Sequence, residues 1–454
     1  MRMFNLGLVG LMFGCAATDY SQPVTVDDAA LNDAPQSWQT AQTELGEVKV
    51  GWIDSFGDPL LSELVDDGLL HNRNLQAAAA NVDRARALAR QAGAAMAPTV
   101  GLGAGAQGVG LVEGATPSGQ MGLGLQASWE LDLWGRISAG RGAAVSSAQA
   151  AEADFLFARY SLAAAVARAY FISIEAGLQQ QTAQKVSQAL QETLRIVDLR
   201  FQEGLASAQE LALVRSDLAG AREALEAAKG GQRDAVRSLE LLLGRYPGAE
   251  LDVREDLPEA PAQPPAGVPS SLLERRPDLI AAERRIAATV AGVDQAKAAR
   301  LPSLSLTADI GGSSGGLSDL LDPVNIAWQA AASLLVPIVD GGARKAEIEI
   351  AKADEEAAIA AYAQSALVAF GEVERALDQG YVLTQRLTDL DEARRESTEA
   401  LRLTQLQFDE GETDLLDVLT IQQRFYARES ALLSLQRTLL EQHLDLNLAL
   451  GGHW

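Results

Sequence analysis

The chain is written twice: residues 74–244 recur as 278–451, with the same order of helical and alternating segments in each copy. Asn74-Leu75 opens an alanine-rich run ending at Pro98, and Asp278-Leu279 opens one ending at Pro302, a constant displacement of 204. Farther on, Phe201, Gly204, Leu225 and Gly244 match Phe408, Gly411, Leu432 and Gly451 at a displacement of 207. A slip of three residues (207 − 204) over a whole copy predicts that both fold alike, with the extra residues in a turn or loop. Function must be sought in what two stacked copies can build.

Proline is absent from Arg136 to Tyr246 and again from Ile338 to the end. These stretches are rich in Ala, Leu, Gln, Glu and Arg, and one interior proline would cost a helix about 3 kcal/mol, so both predict long helices. Phe425, Leu432, Leu439 and Leu446 are spaced by seven; Leu218, Leu225 and Leu239 hold the same register in the first copy, with Gln232 in place of Leu439. Heptad spacing means a coiled-coil seam that meets another helix along its length. At about 1.5 Å per residue, a helix from Ser138 to near Gln202 approaches 100 Å.

Short segments of period two interrupt the helices. Leu123, Leu125, Ala127, Trp129, Leu131 and Leu133 alternate with Gly124, Gln126, Ser128, Glu130 and Asp132, which predicts a strand with one oily and one wet face. Ile326, Trp328, Ala330, Ala332, Leu334 and Val336 repeat the pattern. Each is preceded by another alternating strand, through Val100, Leu102, Ala104 and Ala106 and through Leu304, Leu306, Ala308 and Ile310. Each copy therefore reads helix, β-hairpin, long helix, helix.

Strands of this length and alternation suit a transmembrane barrel; in a soluble sandwich the oily face would meet a second sheet instead. Four strands cannot close around a channel, and open edges in a bilayer leave backbone groups unsatisfied, so closure must come from other chains. Trp129, Trp134 and Trp328 fit an interfacial aromatic belt, as they would fit ordinary core positions. The fold class is mainly α with a β-barrel portion, in two structural repeats. Repeat 1 spans 58–246, with strands near 99–107 and 121–134; repeat 2 spans 271–454, with strands near 303–310 and 325–338. Five prolines between Leu257 and Pro269 mark 247–270 as a stiff connector.

The formal charge of −24 excludes nucleic acid as a natural partner, because phosphate binding needs clustered Lys and Arg. Residues 1–14 carry one cation at Arg2 followed by an apolar stretch of signal-peptide length, too short to span a bilayer. Cys15, the one cysteine of the chain, follows at once. Residues 15–57 read as an extended arm, with Asp58-Pro59 opening the first helix. His71, His443 and His453 are scattered, with no Cys or carboxylate at metal-ligand spacing, and no phosphate-cradling glycine pattern is present. Neither an enzyme nor a bound cofactor is expected.

The stretch Leu11-Met12-Phe13-Gly14-Cys15 resembles a bacterial lipoprotein cleavage box, which implies diacylglycerol and palmitoyl groups on Cys15; Ala16 after it resembles lipoproteins sorted to the outer membrane. Leu272-Leu273-Glu274-Arg275-Arg276-Pro277-Asp278-Leu279, continued by Ala281-Ala282-Glu283-Arg284-Arg285, resembles the TolC-like outer membrane factor family, lipoprotein branch. Leu301-Pro302-Ser303-Leu304-Ser305-Leu306 and Val336-Pro337-Ile338 with Asp340-Gly341-Gly342 carry the same likeness. The resemblance implies a homotrimer: a twelve-stranded barrel in the outer membrane, continued by a periplasmic α-helical barrel. Its implied partners are a periplasmic membrane-fusion adaptor, an inner-membrane pump of the RND type and outer membrane lipid.

On this resemblance the turns of the long hairpins, at Gly204-Leu205 and Gly411-Glu412, are adaptor-contact tips. Read from the residues alone, the glycines are plain helix caps. Six residues past the glycines stand Glu210 and Asp417, again 207 apart. Gathered about an axis, such carboxylates would crowd, attract cations and bind divalent metal weakly. With Asp414 and Leu416 they are the expected channel constriction. Thr413 and Thr420 depart from the Arg and Asp of some relatives. The function expected is an exit duct for small molecules. The alternatives are a structural coiled-coil lipoprotein without a channel and an exit duct for type I protein secretion.

Overall fold

The computed structural model describes residues 37–40, 51–109, 118–266 and 269–452. The signal-peptide stretch, Cys15, most of the N-terminal arm and His453 lie outside the described residues. In chain order the elements are α1 (Pro59–His71), α2 (Arg73–Ala94), β1 (Thr99–Val109), β2 (Ser118–Leu131), α3 (Arg136–Gln202) and α4 (Ala208–Leu242). The second copy supplies α5 (Pro269–Arg275), α6 (Pro277–Ala298), β3 (Ser303–Ser314), β4 (Ile326–Leu335), α7 (Ala343–Glu410) and α8 (Leu415–Ala449). Two compact units result: Asn81–Glu152 with Ala281–Ala363, and Ala153–Ile280 with the described residues up to Ala80 and from Gln364 on.

The first unit holds one antiparallel sheet in the order β1-β2-β3-β4. Thr99 pairs with Ser128 in the first hairpin, and Ser303 pairs with Leu335 in the second. The displacements are 303 − 99 = 204 and 335 − 128 = 207, so the three extra residues lie in the second hairpin's loop. That loop contains two short 3-10 turns, Leu317–Asp319 and Pro323–Asn325. An odd insertion also explains why apolar residues are odd-numbered in β2 and even-numbered in β4, because strand faces alternate with period two.

The strand ends differ from the sequence reading. β1 and β3 run on to Val109 and Ser314, past the expected 107 and 310. β2 covers 118–131 instead of 121–134, since Leu133 N turns back to donate to Leu131 O at 2.9 Å. β4 stops at Leu335 instead of 338, two residues before Pro337, which has no N–H for a ladder. After β2, the Asp132 carboxylate accepts from Ile137 N and Ser138 N at 2.9 and 2.7 Å, occupying the first free donors of α3.

The second unit is helical. Asp58 caps α1 by accepting from Leu60 N at 3.1 Å, with Pro59 in the first turn. The main core gathers Leu61 and Val65 of α1, Tyr170, Phe171 and Ile174 of α3, Leu239 of α4 with Leu243 just past its end, and Leu440 and Leu444 of α8. Each such side chain contributes roughly 1.5–3 kcal/mol of burial. The Tyr170 hydroxyl, buried with them, donates to Asp58 Oδ2 at 2.9 Å, so its desolvation is offset by a hydrogen bond. A second cluster joins both repeats: Leu190 and Val197 of α3, Val214 and Leu218 of α4, Phe408 of α7, and Leu415 and Val418 of α8.

Two loop segments are pinned onto this unit. The buried Glu240 carboxylate accepts from Ala249 N, Glu250 N and Leu251 N at 2.7, 2.8 and 3.1 Å, fastening the start of the connector. In the arm, Trp38 Nε1 donates to Ala266 O at 3.0 Å, and Gln39 N and Thr40 N donate to the Glu374 carboxylate at 2.7 and 3.1 Å. The Arg276-Pro277-Asp278 motif is a buried corner. Arg276 forks onto Asp278 at 3.1 and 2.7 Å, reaches Glu372 at 2.6 Å, and donates to Ala449 O at 3.2 Å. Its repeat-1 counterpart Asn72 donates to Leu242 O at 2.8 Å, and 242 + 207 = 449.

Candidate functional site

Two features are candidates for function, one in each unit, and the first is the sheet. The register sets Leu102, Leu125, Ile310 and Trp328 side by side across all four strands. The neighbouring row on the other face is Gly101, Gln126, Asp309 and Gln329. The rows continue the same way: Val100, Ala127, Ala308 and Ala330 on the first face, Thr99, Ser128, Thr307 and Ala331 on the second. Directly opposed residues point to the same side of a sheet, so one face is uniformly apolar and the other polar or small. The apolar face is bare, with Leu102 71% and Trp328 76% exposed. β1 and β4 are the edges, each with a row of backbone donors and acceptors facing outward.

Of the three tryptophans singled out, Trp129 and Trp134 use their indole N–H at the strand–helix junctions, donating to Met96 O at 3.0 Å and Pro302 O at 2.7 Å. Trp328 stands on the apolar face with its ring open. An amphipathic ring with its polar atom tied inward suits the boundary between lipid and water.

The second feature is the pair of helix-hairpin turns. At the end of α3, Gly204 takes φ +74°, Gly204 N donates to Phe201 O at 3.0 Å, and Leu205 N donates to Arg200 O at 2.7 Å. At the end of α7, Gly411 takes φ +82°, with Gly411 N on Phe408 O at 3.1 Å and Glu412 N on Gln407 O at 2.8 Å. Both are Schellman caps, in which a left-handed glycine lets the chain satisfy the last carbonyls and turn back. Leu205 ends up 73% exposed at the turn.

The acidic residues stand immediately beyond. Ser207 caps α4: its Oγ accepts from Glu210 N at 3.1 Å, while Glu210 Oε2 accepts from Ser207 N at 2.6 Å and from its hydroxyl at 2.7 Å. These bonds, first from the backbone and then from the hydroxyl, hold the Glu210 carboxyl below its ordinary range. In the second repeat Asp414 Oδ1 accepts from Asp417 N at 3.0 Å, and Asp417 accepts from the Thr413 hydroxyl at 2.7 Å. Within one chain, then, Glu210 completes the cap of α4, Asp414 caps α8, and Asp417 holds the Thr413 hydroxyl. Leu416 is 59% exposed beside the buried Leu415, an apolar side chain facing outward. Thr420 turns its hydroxyl back onto Leu416 O at 2.7 Å. Among the described residues no cluster of His, Cys, Asp and Glu is arranged to hold a metal ion.

One contact at the turns was not legible as a site. The Arg200 guanidinium stacks on the buried ring of Phe408 and joins the ends of α3 and α7, whereas the matched Phe201 is exposed. The signal is the asymmetry of the preceding residue, Arg200 before Phe201 but Gln407 before Phe408.

Comparison with known proteins agrees along the whole chain. A family described as outer membrane efflux protein matches residues 64–245 and 268–452, one match on each copy of the repeat. The pyoverdine export outer membrane protein OpmQ of Pseudomonas aeruginosa is 30% identical, covering 100% of this chain and 98% of its own. Outer membrane protein OprJ of the same species is 32% identical, with 100% and 97% covered. Among solved structures, the outer-membrane channel OprN superposes with a TM-score of 0.85 at 29% identity, over 95% of this chain and 99% of that one. The open state of the MtrE outer membrane channel of Neisseria gonorrhoeae gives 0.83 at 31% identity, over 95% and 96%.

Proposed function

This chain belongs to the outer membrane efflux protein family, and from that premise we propose how its channel is assembled, closed and anchored. The protein is the outer membrane channel of an efflux system, a duct that conducts solutes outward. The observation that carries the assembly is the four-stranded sheet with one apolar face, one polar face and two open edges. A bilayer tolerates no open sheet edge, so β4 of one copy pairs with β1 of the next. Three copies give twelve strands (3 × 4), with Leu102, Leu125 and Trp328 toward lipid and Gln126, Asp309 and Gln329 toward the water-filled bore.

The partners follow from tripartite organisation: a periplasmic adaptor and an inner-membrane pump, for which the RND type is our proposal. The exposed Leu205 and the turns at Gly204, Gly411 and Glu412 are the adaptor contacts. The constriction is formed by Leu416 with Glu210, Asp414 and Asp417, whose acidic side chains favour cations. The anchor is lipid on Cys15, which holds the N-terminus to the outer membrane without a spanning helix. Small molecules are the cargo, because relatives are named for pyoverdine export, cation efflux and toluene efflux.

The test is reconstitution of the purified full-length protein in planar bilayers. A trimer with discrete conductance, whose cation preference falls in Asp417→Asn and Glu210→Gln, supports the reading. A monomer in mild detergent with no conductance overturns it, and leaves the coiled-coil lipoprotein. Radiolabelled palmitate incorporated by the natural chain and not by Cys15→Ala tests the anchor separately.

A further inference from the structure

The polar face of the sheet changes character along the strands. Its longest side chains in mid-sheet stand in one row, Gln126, Asp309 and Gln329. Toward the hairpin loops, the next row on that face is Gly103, Gly124, Gly311 and Ala327. Two of these glycines are required: a Cβ on Gly311 would fall 2.5 Å from Leu123 O, and one on Gly124 would fall 3.1 Å from Ile310 O. The backbones of β2 and β3 approach too closely there for side chains, so nothing in that row covers Asp309. In the other direction, the next row holds nothing longer than Thr307.

The row also differs in charge. Of all the residues in the four strands only Glu130 and Asp309 are charged, and none is Lys, Arg or His. Glu130 is held by the fork of Arg136 at 3.3 and 2.8 Å. Asp309, half-buried between Gln126 and Gln329, pairs with no cation among the described residues. Asp is disfavoured in strands, and an unpaired one in mid-sheet adds nothing to strand pairing, so its use lies in the water that this face meets.

We propose that Asp309 is a charge selector within the transmembrane bore, favouring cationic over anionic solutes separately from the acids at the hairpin turns. The inference rests on the trimeric channel proposed above, whose symmetry puts three copies of Asp309 at one level. Twelve strands spaced about 4.8 Å and tilted about 40° set the backbone roughly 12 Å from the axis, and an Asp side chain reaches about 4 Å inward. The charge then lies roughly 8 Å from the axis, inside the screening length of about 10 Å at 0.1 M salt and well outside that of about 3 Å at 1 M. A passing solute therefore crosses a ring of negative potential at low and physiological ionic strength, and acidic rings of this kind admit cations in preference to anions.

The local potential is read at a neighbouring thiol. Thr307→Cys, two residues from Asp309 on the same face, is placed in the full chain and reconstituted in liposomes. It is treated with a cationic or an anionic methanethiosulfonate of similar size, with the natural chain and its Cys15 as the blank. The cationic reagent reacts faster, and adding Asp309→Asn lowers the cationic-to-anionic rate ratio at least threefold at about 0.01 M salt but leaves it unchanged at about 1 M. As a second measurement, Asp309→Asn lowers the cation-to-anion permeability ratio that remains in a Glu210→Gln, Asp417→Asn channel at least twofold in planar bilayers at about 0.01 M KCl. A trimer in which Asp309→Asn leaves either ratio unmoved overturns the selector and leaves the channel standing. A Thr307→Cys thiol that neither reagent reaches, or an Ala308→Cys thiol that reacts in its place, overturns the bore itself.

Discussion

The Arg200 guanidinium lies 4.3 Å over the ring of Phe408, and its Nη2 donates to the Phe408 carbonyl at 3.4 Å. This contact ties the end of α3 in one repeat to the end of α7 in the other, at the turns proposed to form the constriction. A part-desolvated cation–π contact contributes about 1 kcal/mol, which changes a closed-to-open ratio roughly fivefold. Arg200→Ala is therefore expected to raise single-channel open probability in planar bilayers by about that factor, with Arg200→Lys falling between. Unaltered gating in the Ala variant would remove this pair from the closing mechanism.

The two faces of the sheet predict opposite tolerances at adjacent residues. Leu125→Arg puts a cation on the apolar face at a cost of about 2–4 kcal/mol near the bilayer midplane, whereas Gln126→Arg puts it on the polar face. The first variant is expected to leave the outer membrane fraction and lose its heat-modifiable oligomer band. The second keeps both and changes ion selectivity. Equal behaviour of the two would mean the face assignment is wrong.

Arg276 is 4% exposed and holds two carboxylates and the α8 terminus. Removing one partner from a buried ion pair leaves an uncompensated charge, so Arg276→Ala is expected to cost about 3–5 kcal/mol. Arg276→Lys rescues little, because an ammonium cannot reproduce the fork onto Asp278. Thermal unfolding of the solubilised protein, followed by circular dichroism, measures both. A shift of only a degree or two for Arg276→Ala would contradict the corner's role.

His443 is buried, and burial pushes its imidazole down to about 4 from an ordinary 6.5. Among the described residues its Nδ1 has no hydrogen-bond partner. A base whose folded pKa is depressed is neutral in the fold and protonated when unfolded. Stability is therefore complete above pH 6.5 and declines as pH falls toward 4, by about 3 kcal/mol over that window. His443→Gln flattens this limb in denaturant melts at pH 4.5 and 7.5. A pH slope identical to that of the natural chain would mean other groups set it.

The sequence was informative wherever physical period carried the signal. Duplication, heptads and missing proline define the helices, and the switch from odd to even apolar positions between β2 and β4 already requires an odd insertion in the second hairpin. The likeness in the Arg276-Pro277-Asp278 stretch pointed to a family before the physical role of Arg276 was visible. The acids at 210 and 417 were legible as a matched pair, but their hydrogen bonds were not, because Ser207 and Thr413 are ordinary residues until a turn brings their hydroxyls to 2.7 Å from the carboxylates.

What the chain decides by itself is local and periodic: which segments are helix or strand, which strand face is oily, and where the hairpins turn, since those depend on residues a few positions apart. What only the tertiary structure decided is which distant groups meet. Arg276 finds Glu372 across 96 residues, Gln179 finds Ser430 across 251, and Arg200 finds Phe408 across 208. No period encodes such pairs, because each depends on how two helices settle against one another once their apolar faces are buried.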